Sequence, residues 1–576
     1  MSVQGHSYDG FMARQEMTVA ELVADIERGR IKKPEMQREY VWQAPRVRDL
    51  LDSLYRGYPS GTILLWDSRE EVATSDFAVK TNRDSVGSTL LLLDGQQRLT
   101  SLSSVIRGEP IVVRSKRKLR SIDILFNLEH PDELLTVTEI DDSLGDFQVD
   151  DDDDDDDEET LQDLFNQFTF IVSNNQLASS PTWVNVSEVF KSSSDADFLE
   201  RAGVTSLKDP KYKKYSERLQ KLRAITKYVY RLDVLEHDLS YEEVTEIFVR
   251  VNSLGVKLRS ADLALAQITS KWRDSLKLFQ EFQEKCFEEQ GFFFDTGFYV
   301  RNMVIFATGQ SRFKSVGSIP TENLKKAWGE GKRGIEFAFN FLISNVGINS
   351  PALLTSPFIV LALSYWGYSL DYKISGDQAK EMKRWVLIAN TKSRYSTSAE
   401  TLLDQDLAIL RSKGSARELI DRLSAQFGRL DVNENELVGR RSSSGYFRAM
   451  YLAFLEDGAK DWTTNLQISL RHRGSEDKLQ FHHIFPKAFL KTHYPQLRRT
   501  QVNDISNLAF IGGKTNRQIS DKAPQDYLSK YIDKDKEPFI NQCIPLEKHL
   551  LGKECFDEFM QARRKLIVQR INKLLS

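Results

Sequence analysis

The sequence predicts an α+β protein of several domains, on three observations. A chain of 576 residues is longer than one hydrophobic core organises, so about three to four domain-sized units are expected. The first 270 residues mix strand-like apolar runs with segments of helical spacing, whereas residues 271–435 are patterned mostly as helix. Within residues 436–576, a short window gathers His472, His482, His483 and His493, four of the chain's eight histidines, among many lysines and arginines. The expected order is an N-terminal α/β domain over 1–270, a helical connector over 271–435 and a C-terminal domain over 436–576.

Composition narrows the class. At 40% hydrophobic and 28% charged residues, the chain reads as an ordinary globular protein. Cys286, Cys543 and Cys555 are far apart and form no CxxC pair. That argues against a structural zinc site or a disulfide framework and fits a reducing compartment, so a cytoplasmic location is expected. The opening residues lack the basic-then-apolar pattern of a signal peptide. The longest apolar stretch, residues 357–366, is too short for a membrane span and predicts a buried helix; no membrane partner is expected. The net charge of −4 hides an asymmetry: residues 150–159 are eight Asp followed by two Glu, and removing these ten charges takes the rest from −4 to +6. Such a run cannot pack, so an acidic, disordered insert is expected over about 145–160. The same charge density also has the form of a DNA mimic that covers a basic groove.

Along the N-terminal domain, Val19, Leu22, Val23 and Ile26 recur at helical spacing and predict a helix over 17–29. Val47, Leu50, Leu51 and Leu54 predict a second, and residues 62–66 a strand. The leucine run at 90–93 predicts a buried strand; Asp94 and Gly95 make a tight turn, and a helix follows from Gln96 with Leu99 and Leu102 inward. Backbone N–H groups at such a helix start favour phosphate, Arg98 can add a charge-assisted contact, and Asp94 can cap the helix or hold a metal. By spacing alone this is a capped turn, since it is neither a P-loop nor GxGxxG. The basic run 114–120 is a hairpin tip or a phosphate-tracking edge. Residues 183–186 and 228–234 read as strands. Ser240 and Glu243 form a capping box before Val244, Ile247, Phe248 and Val251, whose spacing predicts a helix ending near Asn252; Arg250 and Asn252 are polar groups at that end, and a new helix starts at Ser260.

The connector is dense in aromatic residues such as Phe279, Phe282 and Phe292–Phe294, read as helix cores, and carries no catalytic constellation. The C-terminal domain does. His482 and His483 are followed by Ile484-Phe485-Pro486, then Asn507, then Asn516. These are the parts of a one-metal phosphodiesterase site. Hydrolysis of a phosphodiester needs a base to deprotonate water, which a neutral imidazole supplies near pH 7, and a cation to neutralise growing charge, which an imidazole and an amide oxygen can hold. Neighbouring residues on a strand point to opposite faces, so the two histidines are expected to do different jobs. Cations including Arg498, Arg499, Lys514, Arg517 and Lys522 surround the motif, as binding to DNA phosphates requires.

The His-His-Ile-Phe-Pro stretch resembles the ββα-metal motif of HNH endonucleases, which runs strand, loop, strand, helix. The resemblance implies His483 as general base, His482 and Asn516 as metal ligands, Asn507 as the brace of the loop presenting His483, and Lys522 as a cation near the phosphate. His482 stands where many relatives carry Asp or Glu, which leaves Mg²⁺, Mn²⁺ or a softer ion open. Asp94-Gly95-Gln96-Gln97-Arg98 after a strand, preceded by Gln37, Arg38, Tyr40 and Trp42 and followed by the segment 247–258, is similar to the ParB-like N-terminal domain of the GmrSD-type restriction family, as in BrxU-type and SspE-type defence proteins. That resemblance implies binding or hydrolysis of a nucleotide, ATP or GTP, by these residues with Arg250 and Asn252. Relatives tend to have Gly where Leu254 stands. The implied protein is a fused sensor and HNH nuclease of a type IV-like restriction or anti-phage system, cutting double-stranded and modified phage DNA with Mg²⁺ or Mn²⁺, with a homodimer as one possible assembly. The alternative is a nucleotide-hydrolysing DNA sensor in which cleavage is minor or absent.

Overall fold

The computed structural model describes residues 12–34, 42, 44–68, 74–75, 89–109, 111–115, 118–131, 168–173, 175–236, 239, 241–254, 260–413 and 415–576. The acidic insert and the candidate residues Gln37, Arg38 and Tyr40 lie outside these, as does the side chain of Asn252. The chain divides into two compact units, residues 1–276 and 277–576.

The first unit is built on a six-stranded mixed sheet. Its strands are β1 (Met12–Thr18), β2 (Ile31–Pro34), β3 (Ile63–Ser68), β4 (Thr74–Ser75), β5 (Thr89–Asp94) and β6 (Val229–Leu235), in the spatial order β1-β6-β3-β5-β2-β4. The leucine run is apolar without alternation because the sheet is covered on both faces. Leu92 faces a core with Leu65, Leu99 and Leu102, which also takes α1 (Val19–Glu27) and α2 (Ala44–Arg56). Leu91 and Leu93 face Trp66, Val244 and Phe248 on the other side, the last two from α4 (Tyr241–Leu254). The strand ends at Asp94, and α3 (Gln96–Arg107) begins after Gly95.

Two expected elements are reshaped. The helix expected over 17–29 starts at Val19, because Thr18 closes β1 and caps α1: its hydroxyl accepts from the Glu21 N–H, and the Glu21 carboxylate accepts from the Thr18 N–H at 2.7 Å. β1 gives no apolar signal since its residues are largely exposed; antiparallel pairing with β6, Met12 opposite Leu235, makes it a strand. The helix expected to end near Asn252 continues to Leu254.

The second unit is helical to about residue 456. Its long helix α5 (Thr321–Phe341) packs against α6 (Phe358–Ser369), the apolar 357–366 stretch, whose residues from Ile359 to Gly367 are all buried. Among the described residues no helix is long and apolar enough to cross a membrane. Asn302 knits these helices, donating to the Gly331 carbonyl (2.9 Å) and accepting from Ser364 (2.9 Å); a Cβ at Gly334 would collide with Ser364. The remainder contributes β7 (Leu479–His483), β8 (Leu508–Gly512), α7 (Gly513–Ile519), α8 (Pro524–Lys534) and α9 (Phe556–Leu575) around a core that includes Ile484, Phe485, Ile511, Leu528 and Phe559. The segments before and after residue 435 are packed together: Asn572 of α9 exchanges two hydrogen bonds with the Val432 backbone, 2.8 and 2.9 Å.

Candidate active site

The strands β7 and β8 pair antiparallel, His482 opposite Ala509 and His483 opposite Leu508, and α7 starts directly after β8. This turns Asn516, 34 residues away in sequence, back onto β7. His482 Nδ1 lies 2.7 Å from Asn516 Oδ1. The Asn516 amide is itself held, donating from Nδ2 to Gln480 Oε1 at 2.6 Å; Gln480 sits two residues before His482, on the same face of the strand. On its far side the His482 ring meets the Tyr527 hydroxyl of α8, 3.3 Å from Nε2, and Trp462 edge-on. Only 5% of His482 is exposed, and burial pushes its pKa down to about 4, against the hydrogen bond to Asn516, so the imidazole is neutral near pH 7.

That shift has a sign. Between the ordinary value of 6.5 and about 4, the unfolded chain binds a proton on this imidazole that the folded chain refuses. The corresponding stability is present above pH 6.5 and is lost as pH falls through this window. Acid titration of thermal unfolding in chelator should reveal a loss on the order of 3 kcal/mol at full development that His482→Gln removes. An identical acid profile in H482Q would mean that His482 does not titrate as a buried neutral group.

His483 points the other way and is half-buried, with Nε2 2.8 Å from Asn503 Oδ1. Asn507 is fully buried and ties together the turn after β7: its Oδ1 accepts from the Phe485 N–H (2.9 Å), and its Nδ2 donates to the carbonyls of Phe485 (3.0 Å) and Val502 (3.1 Å). The C-terminal helix α9 holds this loop from behind. Arg563, fully buried and pushed down to about 10 by that burial, donates to the Ser506 carbonyl at 2.8 Å. Arg564 pairs with buried Asp504 at 3.0 Å, which also accepts from the Ser506 and Gly439 N–H groups.

A second brace sets the start of α7. Buried Asp461 accepts from the Gly512 N–H (2.7 Å) and from the hydroxyls of Thr515 (2.7 Å) and Thr464 (2.9 Å); burial raises its pKa, but these and further hydrogen bonds outweigh it and hold the carboxyl below its ordinary range. Lys522 is exposed and donates to the Gln518 carbonyl at the end of α7 (2.7 Å). From residue 478 to 520 there are seven Lys or Arg and a single carboxylate, Asp504, already committed to Arg564, so this segment carries a net positive charge. Among the described residues no group of three or more His, Cys, Asp or Glu is placed to hold a metal; the side-chain donors brought together here are one imidazole and one amide.

The structure thus brings His482 to Asn516 and places His483 at the end of β7 and Asn507 in the turn before β8. Sequence reading missed Gln480, Asn503, Asp461 and Tyr527. Gln480 carried a usable signal, its i−2 spacing from His482; Tyr527, 45 residues on, carried none.

In the first unit, the Asp94–Arg98 stretch is a closed turn. Arg98 donates to the Ser60 carbonyl (2.6 Å), the Thr62 carbonyl (2.7 Å) and Asp94 (3.1 Å). Gly61 (φ +91°) and Gly95 (φ +95°) permit it: a Cβ at Gly61 would fall 2.7 Å from the guanidinium. Gln97 accepts from the Trp42 N–H at 3.1 Å, linking two of the expected motifs. Gln96 is half-buried at the start of α3, which has no side-chain cap. Arg250 is exposed and paired with Glu246.

Comparison with known proteins bears on this unit first. The chain is 22% identical to an uncharacterized protein of Methanocaldococcus jannaschii over 98% of this chain and all of that protein. Residues 19–269, which contain every motif of the N-terminal set, match the family described as GmrSD restriction endonuclease, N-terminal domain. This part of the chain is therefore similar to the N-terminal domain of GmrSD restriction endonucleases, and a GmrSD-type restriction family is the one the match supports.

Proposed function

We propose that the chain is a metal-dependent DNA endonuclease of the HNH type, acting in a type IV-like restriction or anti-phage system under control of an N-terminal domain that binds and hydrolyses ATP or GTP. The match of residues 19–269 supports the restriction context and DNA as substrate. The observation that carries the nuclease reading is the 2.7 Å approach of His482 Nδ1 to Asn516 Oδ1, with His483 on the opposite face of the same strand.

The donors fit a divalent cation: both are neutral, both are held in orientation, and together they leave positions for water and phosphate oxygen. His482 and Asn516 would hold the ion, which supplies Lewis-acid stabilisation of the charge growing on the phosphate and leaving oxygen. His483 takes the proton from the attacking water. Its Nε2–H donates to Asn503 Oδ1, which fixes the ring and leaves Nδ1 as the basic nitrogen. Asn507 keeps the turn after His483 rigid, and the surrounding cations hold the DNA backbone.

The test is cleavage of matched modified and unmodified plasmid or phage DNA, carrying glucosylated or hydroxymethylated cytosine, 5-methylcytosine or phosphorothioate, with and without ATP or GTP. One DNA class should be cut, and only with a divalent cation present. Because His482 offers nitrogen where a carboxylate would offer oxygen, Mn²⁺ should support faster cutting than Mg²⁺ at equal concentration. Nucleotide turnover with no cutting under any of these conditions would reject the nuclease reading and leave a DNA-sensing NTPase.

A further inference from the structure

We infer that Tyr527 is a positioning residue for His482: its phenol oxygen receives the single ring hydrogen at Nε2 and so keeps the Nδ1 lone pair available to a cation. The inference rests on the proposed metal-dependent reading and deepens it.

Tyr527 lies in α8, is buried, and donates its one hydroxyl hydrogen to the Ile484 carbonyl at 2.8 Å. With that hydrogen committed, its oxygen can only accept from His482 Nε2, 3.3 Å away. On the other side of the ring, the Asn516 amide is oriented by its bond to Gln480, so that its oxygen, not its nitrogen, faces Nδ1. A neutral imidazole with one hydrogen is therefore gripped between two oxygens. If the hydrogen sits on Nδ1, it satisfies Asn516, and Nε2 faces a phenol oxygen that has no hydrogen to give. If it sits on Nε2, Tyr527 is satisfied, and Nδ1 and Oδ1 are two acceptors 2.7 Å apart. The second state needs positive charge beside both atoms, and a divalent cation supplies it. With a cation held by His482 and Asn516, the ring hydrogen would lie on Nε2 instead of Nδ1 with no net proton released by His482, and Tyr527 is already in place to receive it. Outer partners of this kind set the tautomer and orientation of ligating histidines. The packing makes Tyr527 specific for the task. Trp462 closes the same side of the ring and keeps solvent from replacing the phenol.

The experiment uses the full chain and two readouts besides activity. Mn²⁺ affinity is measured by calorimetry for wild type, Tyr527→Phe and His482→Ala, with thermal unfolding as the check on folding. Wild type should bind, H482A should lose binding, and Y527F should bind about 10- to 100-fold more weakly. The second readout needs no variant: long-range ¹H–¹⁵N spectra of histidine-labelled wild type, in chelator and with saturating Mg²⁺, should show the His482 hydrogen moving to Nε2 when the ion binds. Equal Mn²⁺ affinity in Y527F and wild type, or a His482 hydrogen that stays on Nδ1 with Mg²⁺ bound, would overturn the inference while leaving the metal reading in place. Absence of Mn²⁺ binding by wild type would overturn both.

Discussion

Replacing His483 with alanine should lower DNA cleavage by about 10³-fold, with the fold and DNA binding intact and nucleotide turnover unaffected. The side chain is half-buried at the end of β7, and Asn507 holds the turn beyond it. Its loss would remove the proposed base while the Asn507 hydrogen bonds stay in place. The contrast with Asn507→Ala makes the assignment sharp. That change strips hydrogen bonds from the Phe485 N–H and two carbonyls in a fully buried setting, so it should lower stability as well as activity. Asn503→Ala falls between: it keeps the imidazole and the turn but removes the hydrogen bond at Nε2, so cleavage should fall by less than in H483A. Cutting by H483A at the wild-type rate would refute His483 as the base. Loss of nucleotide turnover in the same variant would contradict the proposed division of labour.

What the sequence disclosed, and what it withheld, follows from the range over which each signal acts. The leucine run was legible as a buried strand because burial on both faces leaves no polar alternation, and the turn after it was legible because Gly95 must adopt a positive φ. The apolar 357–366 stretch read as a buried helix for a similar local reason. β1 was not legible: its pairing energy lies in backbone bonds to a strand more than 200 residues away, and its exposed side chains record none of it. Arg98 shows a different limit. A cation at a helix start suggests phosphate, yet this one spends three hydrogen bonds on Asp94 and the carbonyls of Ser60 and Thr62, a demand visible only once the 58–62 turn is folded against α3. At the C-terminal site the pattern of His482, His483, Asn507 and Asn516 pointed to the proposed chemistry, and the structure brings His482 to Asn516, but the residues that orient them did not announce themselves. Gln480, Asn503, Asp461 and Tyr527 are ordinary polar residues whose meaning is set by a single tertiary neighbour each.

The largest effect on stability should come from a place with no role in chemistry. Arg394 and Asp406 are both wholly buried among the helices of the second unit, joined by two hydrogen bonds of 2.6 and 2.7 Å. Tyr395 donates to the same carboxylate at 2.6 Å, and Gln426 accepts from the remaining edge of the guanidinium at 2.5 Å. Burial lifts the Asp406 carboxyl above its ordinary range against the pull of Arg394, which is the mark of a carboxylate that depends on its partner. Asp406→Ala leaves the guanidinium in a dry interior with no counter-charge and leaves the Tyr395 hydroxyl without an acceptor. The expected loss is about 3–5 kcal/mol, read as a drop of at least about 6 °C in the unfolding transition of the second unit. The pair itself need not be stabilising relative to an apolar core, because desolvation of two charges offsets most of their attraction. The double variant Arg394→Met, Asp406→Leu should therefore recover most of what Asp406→Ala loses. If the single and double variants unfold at the same temperature, the loss reflects disturbed helix packing. If the double variant recovers, the unpaired charge is the cause, and the network acts in this unit by favouring the arrangement of helices in which Arg394 and Tyr395 both reach Asp406.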